Sequence, residues 1–133
     1  MNESKSDFGA QMKSKSGLRR IWLAFTYSRD GLAEAVRHEH AFRQELFVIV
    51  PMLGVAVALP VGWRDTALLC ASLLGVLIVE LLNSAVESCI DYISLERHPL
   101  AKRAKDMGSA AVGLSIVVAG LVWAAVLFEK WHG

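Results

Sequence analysis

Three long runs of apolar residues constrain the fold of this chain more than any other feature of its sequence. They cover residues 46–63, 66–90 and 110–128. The first run contains no charged residue, and as a helix it would extend about 27 Å, close to the roughly 30 Å hydrocarbon core of a bilayer. Because only helices and closed barrels satisfy their backbone hydrogen bonds inside lipid, the sequence predicts an all-α membrane protein with three transmembrane helices.

The segment before the first run has two parts with different compositions. Residues 1–16 are polar and rich in serine and lysine, which predicts a flexible tail ahead of a single membrane domain over 17–133. Apolar residues then recur at helical spacing among arginines, at Leu18, Ile21, Trp22 and Phe25. This pattern predicts an amphipathic surface helix over about 17–44. A helix packed on a protein core would show the same pattern, but the adjacent membrane spans favour the membrane surface.

The distribution of basic residues predicts the orientation of the chain in the membrane. Eight lysines and arginines precede the first run and four lie between the second and third, against one in the short first loop and one at the C-terminus. The positive-inside rule therefore places the N-terminus and residues 91–109 in the cytoplasm and the C-terminus in the periplasm. The net charge of +1 gives no reason to expect a nucleic-acid partner.

The second apolar run carries polar residues on one side of its predicted helix, namely Glu80, Asn83 and Glu87, with Asp91 just beyond. At about 100° per residue, Glu87 lies roughly 20° from Glu80 around the axis. A carboxylate facing hydrocarbon costs several kcal/mol, so these groups should face protein, water, a metal or a substrate. The same polar residues could instead form contacts that only hold helices together, although Asn or Gln would do this at a lower desolvation cost than Glu.

The segment between the second and third runs contains a possible phosphate site. Lys105 and Asp106 precede Gly108, Ser109 and Ala110, where we expect the third membrane helix to start. A lysine beside a helix N-terminus is suited to phosphate, although an ordinary juxtamembrane basic cluster would look the same. The chain contains neither G-x-x-x-x-G-K nor G-x-G-x-x-G, so a nucleotide would bind without either common phosphate loop.

Three sequence blocks together carry a family resemblance: EHAFRQE (39–45), VELLNSAVESCID (79–91) and RAKDMGSAAV (103–112). In these blocks and in their spacing, from about Arg20 to the C-terminus, the chain resembles the prokaryotic diacylglycerol kinases. The resemblance implies a homotrimeric helical bundle in the bacterial cytoplasmic (inner) membrane, with composite sites between subunits. It also implies phosphorylation of diacylglycerol to phosphatidic acid at the cytoplasmic face, with ATP as co-substrate and Mg²⁺ as the cofactor.

The resemblance also implies roles for individual residues. Glu80 corresponds to the catalytic base and Asn83 to a residue that supports it, while Glu39 and Glu87 correspond to ligands of the magnesium that accompanies ATP. The resemblance assigns to nucleotide contact the residues Arg20, Tyr27, Glu39, Glu87, Glu96, His98, Lys105 and Asp106. It assigns to the neighbourhood of the lipid substrate the residues Arg20, Ala41, Arg43, Glu45, Glu80 and Ser109. The chain departs from the family pattern at Arg97, Pro99 and Lys102.

Two other functions are compatible with parts of this pattern. An undecaprenol kinase would share the architecture, and motif spacing does not distinguish it, but the EHAFRQE block favours diacylglycerol. A non-enzymatic assembly or ion-passage subunit would use Glu80 and Glu87 without a phosphate site. Lys105 and Asp106 beside Gly108 and Ser109 argue against this second alternative.

The basic-residue asymmetry predicts that the loop between the first two spans faces the periplasm. A cysteine introduced at Arg64 or Asp65 should therefore react with a membrane-impermeant thiol reagent added from the periplasmic side. Labelling of this loop only from the cytoplasmic side would reverse the predicted orientation.

Overall fold

The computed structural model describes residues 17–93 and 96–133, and the predicted tail over 1–16 lies outside them. All regular structure in the described residues is helical: α1 (Gly17–His38), α2 (His40–Ala58), α3 (Trp63–Ile93) and α4 (Pro99–His132). The last three helices are each long and apolar enough to cross a membrane. The prediction of an all-α chain with three membrane-spanning helices is thus confirmed.

The first helix ends earlier than the sequence predicts. Helix α1 stops at His38, and Glu39 has an extended backbone (φ −95°, ψ 108°) before α2 begins at His40. The chain divides at this point into two units, one ending at His38 and the other covering Glu39–Gly133. The sequence contains no glycine or proline near this break, which is why a continuous helix to residue 44 was expected. Binding of α1 to a membrane surface stays a prediction.

A short turn over residues 59–62 connects α2 to α3. Helix α2 continues through Pro51, as expected of a membrane helix. In the turn, the carbonyl of Gly62 accepts a hydrogen bond from the backbone N–H of Thr66 at 3.0 Å, and Lys130 Nζ donates to the carbonyl of Pro60 at 2.8 Å. Asp65, expected in the connection, belongs to the first turn of α3.

Helix α4 begins about two turns before the predicted position at Gly108. His98 caps it, because its Nδ1 accepts a hydrogen bond from the backbone N–H of Leu100 at 3.1 Å, and Pro99 occupies the first helical position. Lys105 and Asp106 therefore lie inside α4, and the prediction that they precede a helix N-terminus is wrong. The helix extends into the polar segment because residues 101–107 include alanine, lysine and arginine, which are strong helix formers.

The second unit is organised around α3, which packs against both α2 and α4. One buried apolar cluster contains Ile49 from α2, Leu73 and Val76 from α3, and Ala119 from α4. A second cluster contains Ala56, Leu69 and Val126, and the partly buried Trp123 packs against both clusters. Because successive helices reverse direction, the start of α2, the end of α3 and the start of α4 lie at the same end of this unit.

Most of the apolar surface of the three long helices is not covered by the chain itself. In the apolar window of α4 only 11% of the residues are buried, and in that of α2 only 17%. Large apolar side chains such as Phe47, Leu114 and Phe128 are exposed. Lipid or other protein must cover these faces. The trimer stays a prediction.

Candidate functional site

Glutamates from two helices lie close together in the second unit. The side chain of Glu80, in the middle of α3, is only 4% exposed. Its carboxylate interacts electrostatically with those of Glu87, two turns further along α3, and Glu39, at the start of α2. The carboxylate of Glu45 on α2 interacts in turn with Glu80. The polar side of α3 is thus turned towards protein, as the cost of exposing a carboxylate to lipid requires.

These carboxylates provide the donor set for one kind of metal site. In the residues that the structure describes, no three or more His, Cys, Asp or Glu side chains are arranged to hold a metal ion. Magnesium that binds with a nucleotide needs only one or two protein carboxylates, because phosphate and water oxygens complete its coordination. Glu39 and Glu87 provide two hard oxygen ligands at this end of the unit. Their oxygens are the donor type that magnesium prefers, and their assignment to a magnesium ion stays a prediction.

Asn83 connects the α3 carboxylates with α4. Its Nδ2 donates a hydrogen bond to Oε1 of Glu87 at 3.4 Å. Its Oδ1 is buried and accepts no hydrogen bond from the described residues. This oxygen packs against the backbone of α4 at Gly108, where a Cβ atom would overlap it. The carboxamide is thus held between Glu87 and the neighbouring helix.

An ion pair joins the end of α3 to the second turn of α4. Lys105 Nζ donates a hydrogen bond to Oδ1 of Asp91 at 2.7 Å. Lys105 lies ahead of the apolar run at 110–128, and this hydrogen bond raises the pKa of its ammonium group above the ordinary lysine value. A second ion pair follows along α4, between Lys102 and Asp106. Lys105 therefore places a positive charge, paired with Asp91, at the junction of α3 and α4.

A cleft of about 660 Å³ opens between the end of α3 and the start of α4. Small-molecule sites have volumes of about 300–1,000 Å³, so the cleft is large enough for a nucleotide. Four residues assigned to the nucleotide by resemblance contribute to its wall, together with two basic residues at positions where the chain departs from the family pattern. These six residues are Glu96, His98, Lys105, Asp106, Arg97 and Lys102.

A separate groove of about 410 Å³ is bounded by all three long helices and is almost entirely apolar. Glu45 from α2 and Trp123 from α4 are among its lining residues. Glu45 Oε2 and Trp123 Nε1 are both buried, and neither has a hydrogen-bond partner among the described residues. The groove wall is therefore apolar, and two of the residues that form it each contain a buried polar atom without a partner among the described residues.

The remaining predicted site residues are less closely associated with the carboxylates. Ala41, Arg43 and Ser109 are exposed at the same end of the second unit, and the backbone N–H of Arg43 donates to the carbonyl of Glu39 at 3.2 Å. Arg20 and Tyr27 are exposed residues of α1, in the other unit. Their assignment to the nucleotide stays a prediction.

Three residues at these sites had no role from the sequence alone. The position of Asp91, four residues after Glu87, placed it on the polar side of α3 but did not indicate Lys105 as its partner. Gly108 was interpreted only as part of a helix start, and Trp123 was not singled out as a site residue. Only the packing of α4 against α3 gives each of them its neighbours.

The ion pair predicts a change in the titration of Lys105. Replacing Asp91 by Asn removes the negative charge that stabilises the ammonium group, so the pKa of Lys105 should fall towards its ordinary value. NMR titration of ¹³C-dimethylated lysines would measure this shift. Lys102, whose partner Asp106 is unchanged, is the internal control. An unaltered Lys105 titration in Asp91→Asn would contradict the ion pair.

Comparison with known proteins agrees with the three sequence blocks. The family described as prokaryotic diacylglycerol kinase matches residues 26–127. The diacylglycerol kinase of Pseudomonas aeruginosa is 49% identical over 115 residues, covering 86% of this chain and 94% of the relative. That of Escherichia coli K12 is 44% identical over 116 residues, covering 87% and 95%. That of Haemophilus influenzae is 39% identical over 117 residues, covering 88% and 99%. The chain therefore belongs to the prokaryotic diacylglycerol kinase family.

Proposed function

We propose that this protein transfers the γ-phosphoryl group of MgATP to the free hydroxyl of diacylglycerol, forming phosphatidic acid at the cytoplasmic face of the inner membrane. Membership of the family is the observation on which the proposal depends. The geometry supports it, because a cleft large enough for a nucleotide opens at the end of α3 and the buried carboxylate of Glu80 lies deeper along the same helix. The active form in this proposal is a homotrimer with sites between subunits.

In the proposed complex, the nucleotide occupies the cleft between α3 and α4. Lys105 contacts the phosphates, and its hydrogen bond with Asp91 keeps the ammonium group in the cleft wall. Asp106, Glu96 and His98 line the same cleft, and Arg20 and Tyr27 of α1 are assigned to the nucleotide from the family resemblance alone. Phosphoryl transfer depends mainly on alignment and charge neutralisation, and a fixed cation contributes to both.

Glu39 and Glu87 would hold the magnesium ion, which when bound neutralises charge on the phosphate oxygens. Two carboxylates match the number that magnesium commonly takes from protein beside a nucleotide. Asn83, through its hydrogen bond to Glu87, restricts the orientation of one of them. Residues that orient a ligand in this way typically contribute about 10–100-fold to metal affinity or activity.

Glu80 is the proposed general base. It lies about 10 Å deeper along α3 than Glu87, from seven residues at about 1.5 Å each, so it would meet a hydroxyl that comes from the lipid side. Glu80 accepts the hydroxyl proton as the lipid oxygen bonds to the γ-phosphorus and the bond between that phosphorus and the β,γ-bridging oxygen breaks. ADP leaves with the bridging oxygen. Ala41, Arg43, Glu45 and Ser109 are placed near the lipid head by the family resemblance, with Arg20 as a further contact.

The function can be tested with the purified full-length protein in mixed micelles containing diacylglycerol and undecaprenol in parallel. With MgATP, diacylglycerol should be phosphorylated faster, and chelation of magnesium should stop the reaction. Faster phosphorylation of undecaprenol would reassign the substrate. Phosphorylation of neither lipid, by protein that is folded and assembled, would refute the kinase function.

The two glutamates of α3, Glu80 and Glu87, should have separable roles. Glu80→Gln keeps the size and hydrogen-bonding capacity of the side chain but removes its ability to accept a proton, so turnover should fall by about 10²–10⁴-fold with little change in MgATP affinity. Glu87→Gln should instead weaken magnesium-dependent ATP binding and nearly abolish activity. Kinase assays and MgATP binding by calorimetry would measure both effects.

Assembly of the same two variants separates catalysis from helix packing. If Glu80 only joined helices, Gln would be tolerated in the assembled fraction and any loss would be a loss of assembly. Turnover of Glu80→Gln within threefold of the unsubstituted protein would reject its role as the base. Unchanged MgATP affinity in Glu87→Gln would reject its role as a metal ligand.

A further inference from the structure

The side chain of Asn83 on α3 fills the space beside Gly108 of α4. A Cβ atom built on Gly108 would overlap Oδ1 of Asn83 and would lie 3.2 Å from its Cγ. The other glycines of α4, Gly113 and Gly120, have no such neighbour, because nothing lies within 4 Å of a Cβ built on either of them. Gly108 thus differs from Gly113 and Gly120, because a residue of another helix occupies the space that a side chain at position 108 would need.

This contact restricts the carboxamide of Asn83. Its oxygen is buried against α4, so the other end of the group, Nδ2, is directed along α3 to Oε1 of Glu87. The distance of 3.4 Å is near the upper limit for a hydrogen bond, so a small rotation of the carboxamide would break it. The orientation of Asn83 therefore depends on the space that Gly108 leaves.

We propose that Gly108 is a positioning residue of the phosphoryl-transfer site, acting through Asn83 on the carboxylate of Glu87. The inference rests on the proposed function, because Glu87 is there assigned to magnesium. Any side chain at position 108 displaces the Asn83 carboxamide and leaves Glu87 without the hydrogen bond that orients it. The presence of glycine inside this helix is thus explained by the site, since alanine is the better helix former.

The overlap would be relieved at little cost to the fold. A Cβ atom at position 108 would overlap the terminal oxygen of the Asn83 side chain, which can rotate away. Its three nearest neighbours are all side-chain atoms of Asn83, and none is a backbone atom of α3. Substitution by alanine should therefore disturb the orientation of Asn83 more than the packing of the helices. This separates a positioning role from a purely structural one.

The test compares Gly108→Ala with Gly113→Ala, the same substitution on the same helix, in full-length protein in mixed micelles. Gly108→Ala should lower turnover, or raise the magnesium concentration needed for half-maximal activity, by about 10–100-fold. The KM for diacylglycerol and the thermal unfolding midpoint should change little. Gly113→Ala should behave as the unsubstituted protein. Equal activity of the two variants would overturn the proposal.

A double-variant cycle with Asn83→Ala tests whether Gly108 acts through Asn83. Once the carboxamide is removed, adding Gly108→Ala should cost less than threefold further activity, because the two substitutions disrupt the same contact. Independent, multiplicative losses would overturn the proposal. If Gly108→Ala alone does not assemble, the double variant should assemble and match the activity of Asn83→Ala, and failure of the double variant to assemble would also overturn it.

A further measurement keeps this inference distinct from the proposed function. An unsubstituted protein that phosphorylates neither lipid would refute the function but would not test Gly108. Calorimetric binding of MgATP would then provide the comparison. Weaker binding in Gly108→Ala than in Gly113→Ala would support the positioning role, and equal binding would reject it.

Discussion

Glu80 is a carboxylate inside an apolar helix, and the arrangement of the three long helices follows from the cost of leaving such a group in lipid. Its side chain is buried, with Glu39 and Glu87 within electrostatic range. Helix α3 avoids the cost of exposing this carboxylate to lipid only if protein lies on both sides of its polar face. It therefore lies between α2 and α4, while the apolar faces of α2 and α4 stay exposed for lipid or further subunits.

Two cavities of different character lie along α3, one at its end and the other beside its middle. The cleft near Asp91 and Lys105 is lined by charged residues, whereas the groove near Glu45 and Trp123 is almost entirely apolar. A lipid kinase has to bring together a highly charged water-soluble substrate and one that stays in the bilayer. In the proposed reaction, the carboxylates of α3 lie between these two environments, with Glu87 nearer to the charged end and Glu80 deeper.

The contacts between α3 and α4 give this end of the unit its fixed geometry. Lys105 bonds to Asp91 at the helix ends, and one turn further into α4 the carboxamide of Asn83 packs against Gly108. Both contacts link a charged or amide group of α3 to a residue of the RAKDMGSAAV block. Within that block, Lys105 thus forms an ion pair with α3, and Gly108 leaves space for a side chain of α3.

The number of long apolar helices, the polar side of α3 and the family could be predicted from the sequence, because hydrophobic length, helical periodicity and the three motif blocks are local properties of the chain. The break at Glu39 could not be predicted, because no glycine or proline marks it. The start of α4 was missed although proline at the first helical position is a start signal, because the polar residues that follow Pro99 lie outside the apolar run at 110–128. The pairing of Asp91 with Lys105 and of Asn83 with Gly108 was decided only by the tertiary structure. These contacts depend on the register between α3 and α4, which is set by side-chain packing over the whole length of both helices.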